Sequence, residues 1–191
     1  MIRGEKVGLR ARTEADVPVL HTELYEDVLG RSRGDSRPWR PVAAGPHSPF
    51  APGGPEERAA VFSVVELATG DLAGEAVLWG IDEHNRVGHL GLALRPAARG
   101  RGLGTDVVRA LCEYGFAVRG LQRLGIETLV DNPAMRGAAL RAGFTQEGIL
   151  RRSAWVYGEF LDEVLFGLLA EEWQAGESLA EQRRDEQRRS R

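Results

Sequence analysis

Apolar and polar positions alternate weakly over residues 6–11, KVGLRA, as expected of a first strand. The period then changes. Val17, Leu20, Leu24 and Val28 fall on one helical face, with Thr13 as a candidate cap and Asp16 three positions on, in the manner of a capping box. Two apolar runs, 59–67 and 72–82, flank ATGD and predict a hairpin; DEHN at 82–85 predicts the next turn, and 86–96 a third strand stopped by Pro96. Helical spacing returns over 105–120, where Val107, Val108, Leu111, Gly115 and Val118 share a face. Residues 123–130 read as a short buried strand. A helix over 132–144 is opened by Asn132 and Pro133 and closed by Gly143. Two long strand-like segments, 144–157 and 160–173, are separated by Gly158 and Glu159, and the polar stretch 177–191 reads as a solvated helix or tail.

This order predicts an α/β fold, a mixed sheet with helices on its faces. With no repeat or linker in sight, one domain is expected over 1–173, followed by a polar C-terminal helix or tail over 174–191. Residues 34–55 interrupt the pattern: they hold six of the nine prolines and cannot be regular structure. A loop this long in a compact domain is mobile or functional. It carries Trp39, Phe50, Arg37, Arg40 and His47 and reads as a substrate-facing element.

Composition narrows the classes. The chain of 191 residues is 42% hydrophobic with a formal net charge of −3, which suits a core-forming domain and gives no basic field for nucleic acid. The lone Cys112, mid-helix among apolar neighbours, excludes an intramolecular disulfide and a cysteine-rich metal site and reads as packing. The N-terminus has no signal-peptide core and no apolar run approaches the ~20 residues of a membrane span. A cytoplasmic protein with no membrane or nucleic-acid partner is the expectation.

The chemistry concentrates in Leu94–Asp106, LRPAARGRGLGTD. A loop between a strand end and a helix start presents backbone N–H groups and the positive end of a helix dipole, which suits phosphate. Glycines allow close approach and positive φ. The P-loop needs a lysine that is missing here, and Gly100, Gly102 and Gly104, spaced two by two, do not make the dinucleotide fingerprint.

Arg99-Gly100-Arg101-Gly102-Leu103-Gly104 resembles the acyl-CoA loop of the GNAT superfamily of N-acetyltransferases. Upstream, VGHLGLALRP resembles the family's central splayed strand; downstream, DNPAMRGAALRAGF resembles its asparagine-to-G-F helix, with Asn132, Arg141, Gly143 and Phe144 in register. The ending YGEFLDEVLFGLLAEEW is similar to that of the ribosomal-protein N-terminal (alanine/serine) acetyltransferase branch. The resemblance spans most of 5–173. It implies a mostly antiparallel sheet splayed at the acyl-CoA strand, acetyl-CoA as donor, no metal, and a monomer or homodimer.

By that resemblance the pyrophosphate sits on the backbone of Arg101, Gly102, Leu103, Gly104 and Thr105, with Arg99, Gly100 and Arg101 adding loop and charge. The pantetheine arm runs along Leu92, Ala93 and Leu94, near Asn132 and Arg141. The backbone N–H of Leu92 is the implied oxyanion donor. His89 stands where many relatives carry a glutamate, and an imidazole takes up a proton near neutral pH; alternation puts it on the face of Gly91 and Ala93, opposite Leu90, Leu92 and Leu94. Glu75 and Asp82 are the other candidate bases. The family's usual tyrosine acid is replaced by Ala139, and Met135 stands where the branch often has serine, leaving Ser153, Tyr157 or water. Trp39, Phe50, Glu75 and Tyr157 are the candidate acceptor contacts; Trp155 is expected in the core, with the same cleft as its alternative place. The acceptor is a primary amine, first a protein or peptide α-amino group, next a small molecule such as an antibiotic. The rivals are a catalytically silent acyl-CoA-binding module and a nucleotide-binding protein.

Overall fold

A computed structural model describes residues 1–54 and 56–176; the polar stretch expected over 177–191 lies outside the described residues. Eight strands form a single sheet: β1 (Ile2–Arg3), β2 (Val7–Arg10), β3 (Ala59–Glu66), β4 (Leu72–Asp82), β5 (Val87–Leu94), β6 (Arg123–Leu129), β7 (Thr145–Val156) and β8 (Glu159–Leu169). Their spatial order is β1-β2-β3-β4-β5-β6-β8-β7. All neighbours are antiparallel except β5 and β6.

That parallel pair organises the molecule. β5 and β6 pair only at Val87–Arg123, Gly88–Leu124 and His89–Gly125. Beyond His89 the strands diverge, and the edge of β5 facing β6 has no strand partner among the described residues, the splay that the resemblance implied.

Helices α3 (Leu103–Glu113) and α4 (Pro133–Arg141) cover one face. Val107, Val108 and Leu111 of α3, fully buried, pack on the main core with Leu78, Leu90, Leu124 and Ile126. The opposite face holds α1 (Asp16–Leu20), a wide π turn (His21–Tyr25) and α2 (Val28–Gly34), whose Leu20, Leu24 and Tyr25 form a second cluster with Phe50 and Ala93.

Several local expectations are corrected. α1 starts at Asp16, and Thr13 does not cap it. Instead Asp16 Oδ2 accepts from both the Thr13 N–H and its hydroxyl, so only the return half of the capping box forms. The helix expected over 105–120 widens into a π turn at Tyr114–Val118. The wider turn rotates the apolar face, burying Phe116 and leaving Val118 58% exposed. The last strand ends at Leu169, and 170–176 are helical rather than extended; Trp173 there packs its ring 5.5 Å from Phe116. Trp155 is 61% exposed on β7, the edge strand of the sheet.

The proline-rich loop is anchored rather than loose. Ser48 Oγ lies 2.9 Å from Nδ1 of the buried His21 and accepts from the Phe50 N–H, while the Tyr25 hydroxyl donates to Arg40 O. Asp106, in the first turn of α3, accepts the backbone N–H groups of Glu5, Lys6 and Val7 at 3.0, 2.7 and 2.9 Å. This buried carboxylate ties the start of α3 to the β1–β2 turn and so holds the glycine loop in place.

Candidate active site

An open cleft runs across the sheet at the splay, from the glycine loop and α4 on one side to α2 and the proline-rich loop on the other. Leu92, Ala93, Leu94, Arg99, Gly100, Gly102, Leu103, Gly104, Thr105, Asn132 and Arg141 all border it.

The glycine loop forms because its backbone leaves the region open to other residues. Gly100 has φ +72° and Gly102 φ +78°, both left-handed. Gly102 is the N-cap residue of α3 and supplies no side chain to satisfy the first-turn amides. Leu103 itself points into the core, so only its backbone is on offer to a ligand. Arg99 Nε donates to Leu94 O at 2.9 Å and stays at the cleft. The expectation for Arg101 is corrected: its guanidinium turns away to pair with Glu66, beside Lys6, in a separate surface hollow. Arg141 Nε donates to Thr105 Oγ1 at 3.2 Å, joining α4 to α3. Asn132 caps α4 by accepting the Met135 N–H, and its amide donates to Thr128 Oγ1.

The orientation of β5 follows from two hydrogen bonds. Arg95 donates its N–H to Ala73 on β4, whereas Leu94 O takes up Arg99 Nε. Backbone groups of successive strand residues alternate in direction. Leu92, in step with Leu94, therefore turns its N–H away from β4 and into the splay. Side chains alternate as expected: Leu90, Leu92 and Leu94 face the main core, and Ala93 the second cluster.

On the acceptor side the candidates separate. Trp39 borders the cleft with its Nε1 donating to Tyr25 O, and Tyr157 stands in the β7–β8 turn at φ +43°, 70% exposed. Phe50 does not contact the cleft; it is fully buried beneath it, with the guanidinium groups of Arg12 and Arg31 over its ring at 5.3 and 5.7 Å. Glu75 borders the cleft but is held by Arg12 at 2.9 Å and lies 3.7 Å from Arg31. Asp82 is spent on the turn, accepting the Asn85 N–H and side-chain amide, which hold its carboxyl below the usual range. Burial pushes the Asp35 carboxyl up, but bonds from Arg37 and the charge of Arg31 outweigh it and leave it lowered. Ala139 is fully buried and does not border the cleft.

His89 lies against the splay without bordering the cleft. Its ring stacks on Trp79 at 4.7 Å, and its Nδ1 is 3.4 Å from Glu127 Oε1. Glu127, one strand over, does border the cleft, as do Glu163 and Tyr114. None of the three was anticipated; Glu127 sits at an alternating position of a strand that reads as buried, and only the β5–β6 pairing brings it to His89.

The acetyltransferase (GNAT) domain family matches residues 6–145. The chain belongs to the GNAT acetyltransferase family. It is 33% identical over 108 residues to the "Putative ribosomal N-acetyltransferase YdaF" of Bacillus subtilis, covering 56% of this chain and 59% of that protein. It is 25% identical over 99 residues to the spermidine N(1)-acetyltransferase of Vibrio cholerae, covering 52% and 57%. These matches span about three-fifths of the relatives' length. Among solved structures, spermidine N-acetyltransferase from Vibrio cholerae in complex with CoA and spermine superposes with a TM-score of 0.73 at 19% identity, covering 88% of this chain and 98% of that one. Mycobacterium smegmatis RimJ in complex with CoA-disulfide gives 0.70 at 18%, covering 87% and 83%. At such identities these two show the shared fold.

Proposed function

We propose that this GNAT protein moves the acetyl group of acetyl-CoA to a primary amine, first a protein or peptide α-amino group. The observation that carries the reading is one cleft holding both a left-handed glycine loop at a helix start and the Leu92 N–H aimed into the strand splay. Acetyl-CoA fits these residues: the amides of 102–105 suit its pyrophosphate, and the unpaired edge of β5 suits its amide-bearing arm. Arg99 and Arg141 add positive charge at the loop.

In the reaction the amine lone pair attacks the thioester carbonyl carbon. The carbonyl oxygen gains negative charge, which the Leu92 N–H is placed to bind. The C–S bond then breaks, the amide keeps the acetyl group, and the thiolate takes a proton. The ammonium form of the acceptor must first lose a proton to the protein or to water.

A polypeptide acceptor is supported by the open cleft and by exposed Trp39, Trp155 and Tyr157 at its border. The similarity to the ribosomal acetyltransferase named above points the same way. A small cationic amine is the second reading, favoured by Glu163, a cleft carboxylate with no arginine partner among the described residues. The test is thiol release from acetyl-CoA with a panel of peptides, polyamines and aminoglycosides. Turnover with peptides is expected; CoA binding without turnover on any acceptor would make this a silent acyl-CoA module.

A further inference from the structure

The imidazole of His89 occupies a slot that its neighbours leave for it. Trp79 stacks on one side. Gly125 of β6 lies so close that a Cβ there would meet His89 Nδ1 at 3.1 Å, and a Cβ on Gly80 would meet Cδ2 at 3.3 Å. Inside the slot Nδ1 is buried and makes no hydrogen bond among the described residues. A buried ring nitrogen without a partner costs free energy, so such an atom marks a missing or transient one. The one carboxylate within ion-pair range of it, among the described residues, is Glu127, at 3.4 Å.

Several carboxylates of the cleft are tied to an arginine, whereas, among the described residues, Glu127 and Glu163 are not. Glu75 is held by Arg12, Asp35 by Arg37, and Asp131 by Arg33. Glu127 has no arginine among the described residues, and its side chain is 37% exposed at the cleft. On the same face, Glu163 of β8 is its diagonal neighbour, since Glu127 pairs with Leu165 and Leu129 with Glu163. Arg123, two positions before Gly125, is engaged by Glu147 and offers Glu127 no counter-charge. The carboxylate at the cleft can therefore take a proton, while the imidazole behind it cannot reach an acceptor directly.

We propose that Glu127 is the proton acceptor for the incoming amine and that His89 is its positioning residue, donating Nδ1–H to Oε1. This rests on the acetyltransferase reading. The proton leaves the acceptor ammonium for the Glu127 carboxylate, forming the carboxylic acid. The freed lone pair forms the C–N bond as the C–S bond breaks, and the nitrogen's second proton passes to the leaving thiolate, giving the neutral amide and the CoA thiol. The carboxylic proton then returns to solvent. His89 stays fixed by Trp79 and the glycine slot, and its N–H keeps one carboxylate oxygen turned from the cleft so that the other faces it.

The experiment compares Glu127→Gln, His89→Asn and His89→Phe with the wild type. Asparagine keeps a donor near the Nδ1 position; phenylalanine fills the slot and keeps the stacking without a donor. Glu127→Gln is expected to lower kcat at least tenfold, to flatten the acidic limb of the pH profile, and to leave acetyl-CoA affinity unchanged. His89→Asn is expected to stay within threefold of wild type, and His89→Phe to lose at least fivefold, with melting temperatures that show all three folded. The second arm does not use activity: ¹⁵N NMR of the ring should find a proton on Nδ1, with its shift altered in Glu127→Gln. Turnover by Glu127→Gln within twofold of wild type, equal rates for the two His89 variants, or a bare Nδ1 would overturn the proposal. If the wild type acetylates nothing, the acetyltransferase reading falls, and the NMR arm still decides whether the pair exists.

Discussion

Arg12 Nη2 lies 2.9 Å from Glu75 Oε2, and the Arg12 side chain is only 4% exposed. Arg12 follows β2 and Glu75 sits on β4, so the bond crosses β3, where Arg12 also donates to Phe62 O. Arg31 of α2 approaches the same carboxylate, and both guanidinium groups cover the buried Phe50 ring. The acceptor-side wall is thus built on a buried charge network, and Glu75 belongs to the wall.

Glu75→Ala should therefore act on stability first. It leaves the Arg12 charge buried without its partner, which costs about 3 kcal/mol. Thermal melts are expected to shift down by roughly 6–12 °C for a chain of this size. An unchanged melt with lost turnover would instead make Glu75 an acceptor contact.

Gly102→Val should act on the donor. At φ +78° a residue with a Cβ is strained by about 1–2 kcal/mol, more when β-branched. The space is open apart from Lys6 Nζ at 3.5 Å, so the effect falls on loop shape. The KM for acetyl-CoA is expected to rise at least tenfold, and CoA titration calorimetry should show the same loss. Affinity equal to wild type would remove the loop from the donor site.

Acid should unfold the protein through a small set of carboxylates. Burial pushes Asp16 up, but bonds from Arg10, Thr13 and Ser63 outweigh it and hold its carboxyl far below the usual range. Arg95 lowers Glu23, and Arg123 lowers Glu147. A carboxylate lowered by folding contributes stability that is whole above its unfolded value, about 4, and is lost as pH falls toward the folded one. Denaturant midpoints should be flat from pH 7 to roughly 5 and fall below that. In Asp16→Asn the protein should be less stable at pH 7 by about 3 kcal/mol, with a shallower acid slope. A variant with the wild-type slope would contradict this.

Asp131→Ala should do little. Arg33 Nη2 reaches Asp131 Oδ1 at 2.6 Å, joining α2 to the loop before α4, but the Asp131 side chain is 59% exposed. An exposed pair of this kind contributes about 0–1 kcal/mol and is screened by salt. A melt lowered by less than about 3 °C is expected, and a larger drop would show that the contact holds α2 in place.

The sequence by itself determined the order of the long strands and of α3 and α4 between them, the buried face of α3, the caps of α4, the glycine loop and the two faces of β5. Each is written in local periodicity or in turn chemistry within a few residues. The tertiary structure alone decided four things. Phe50 became core because Ser48 and His21 anchor a loop whose composition reads as open. Glu75 became a wall residue because an arginine two strands away reaches it. Trp155 became exposed because β7 is an edge. His89 left the cleft to Glu127 because β5 and β6, whose paired residues lie 36 positions apart in the chain, pair for three positions and then part. Edges, long-range charge pairing and the point where two strands diverge depend on residues distant in sequence, and no local pattern encodes them.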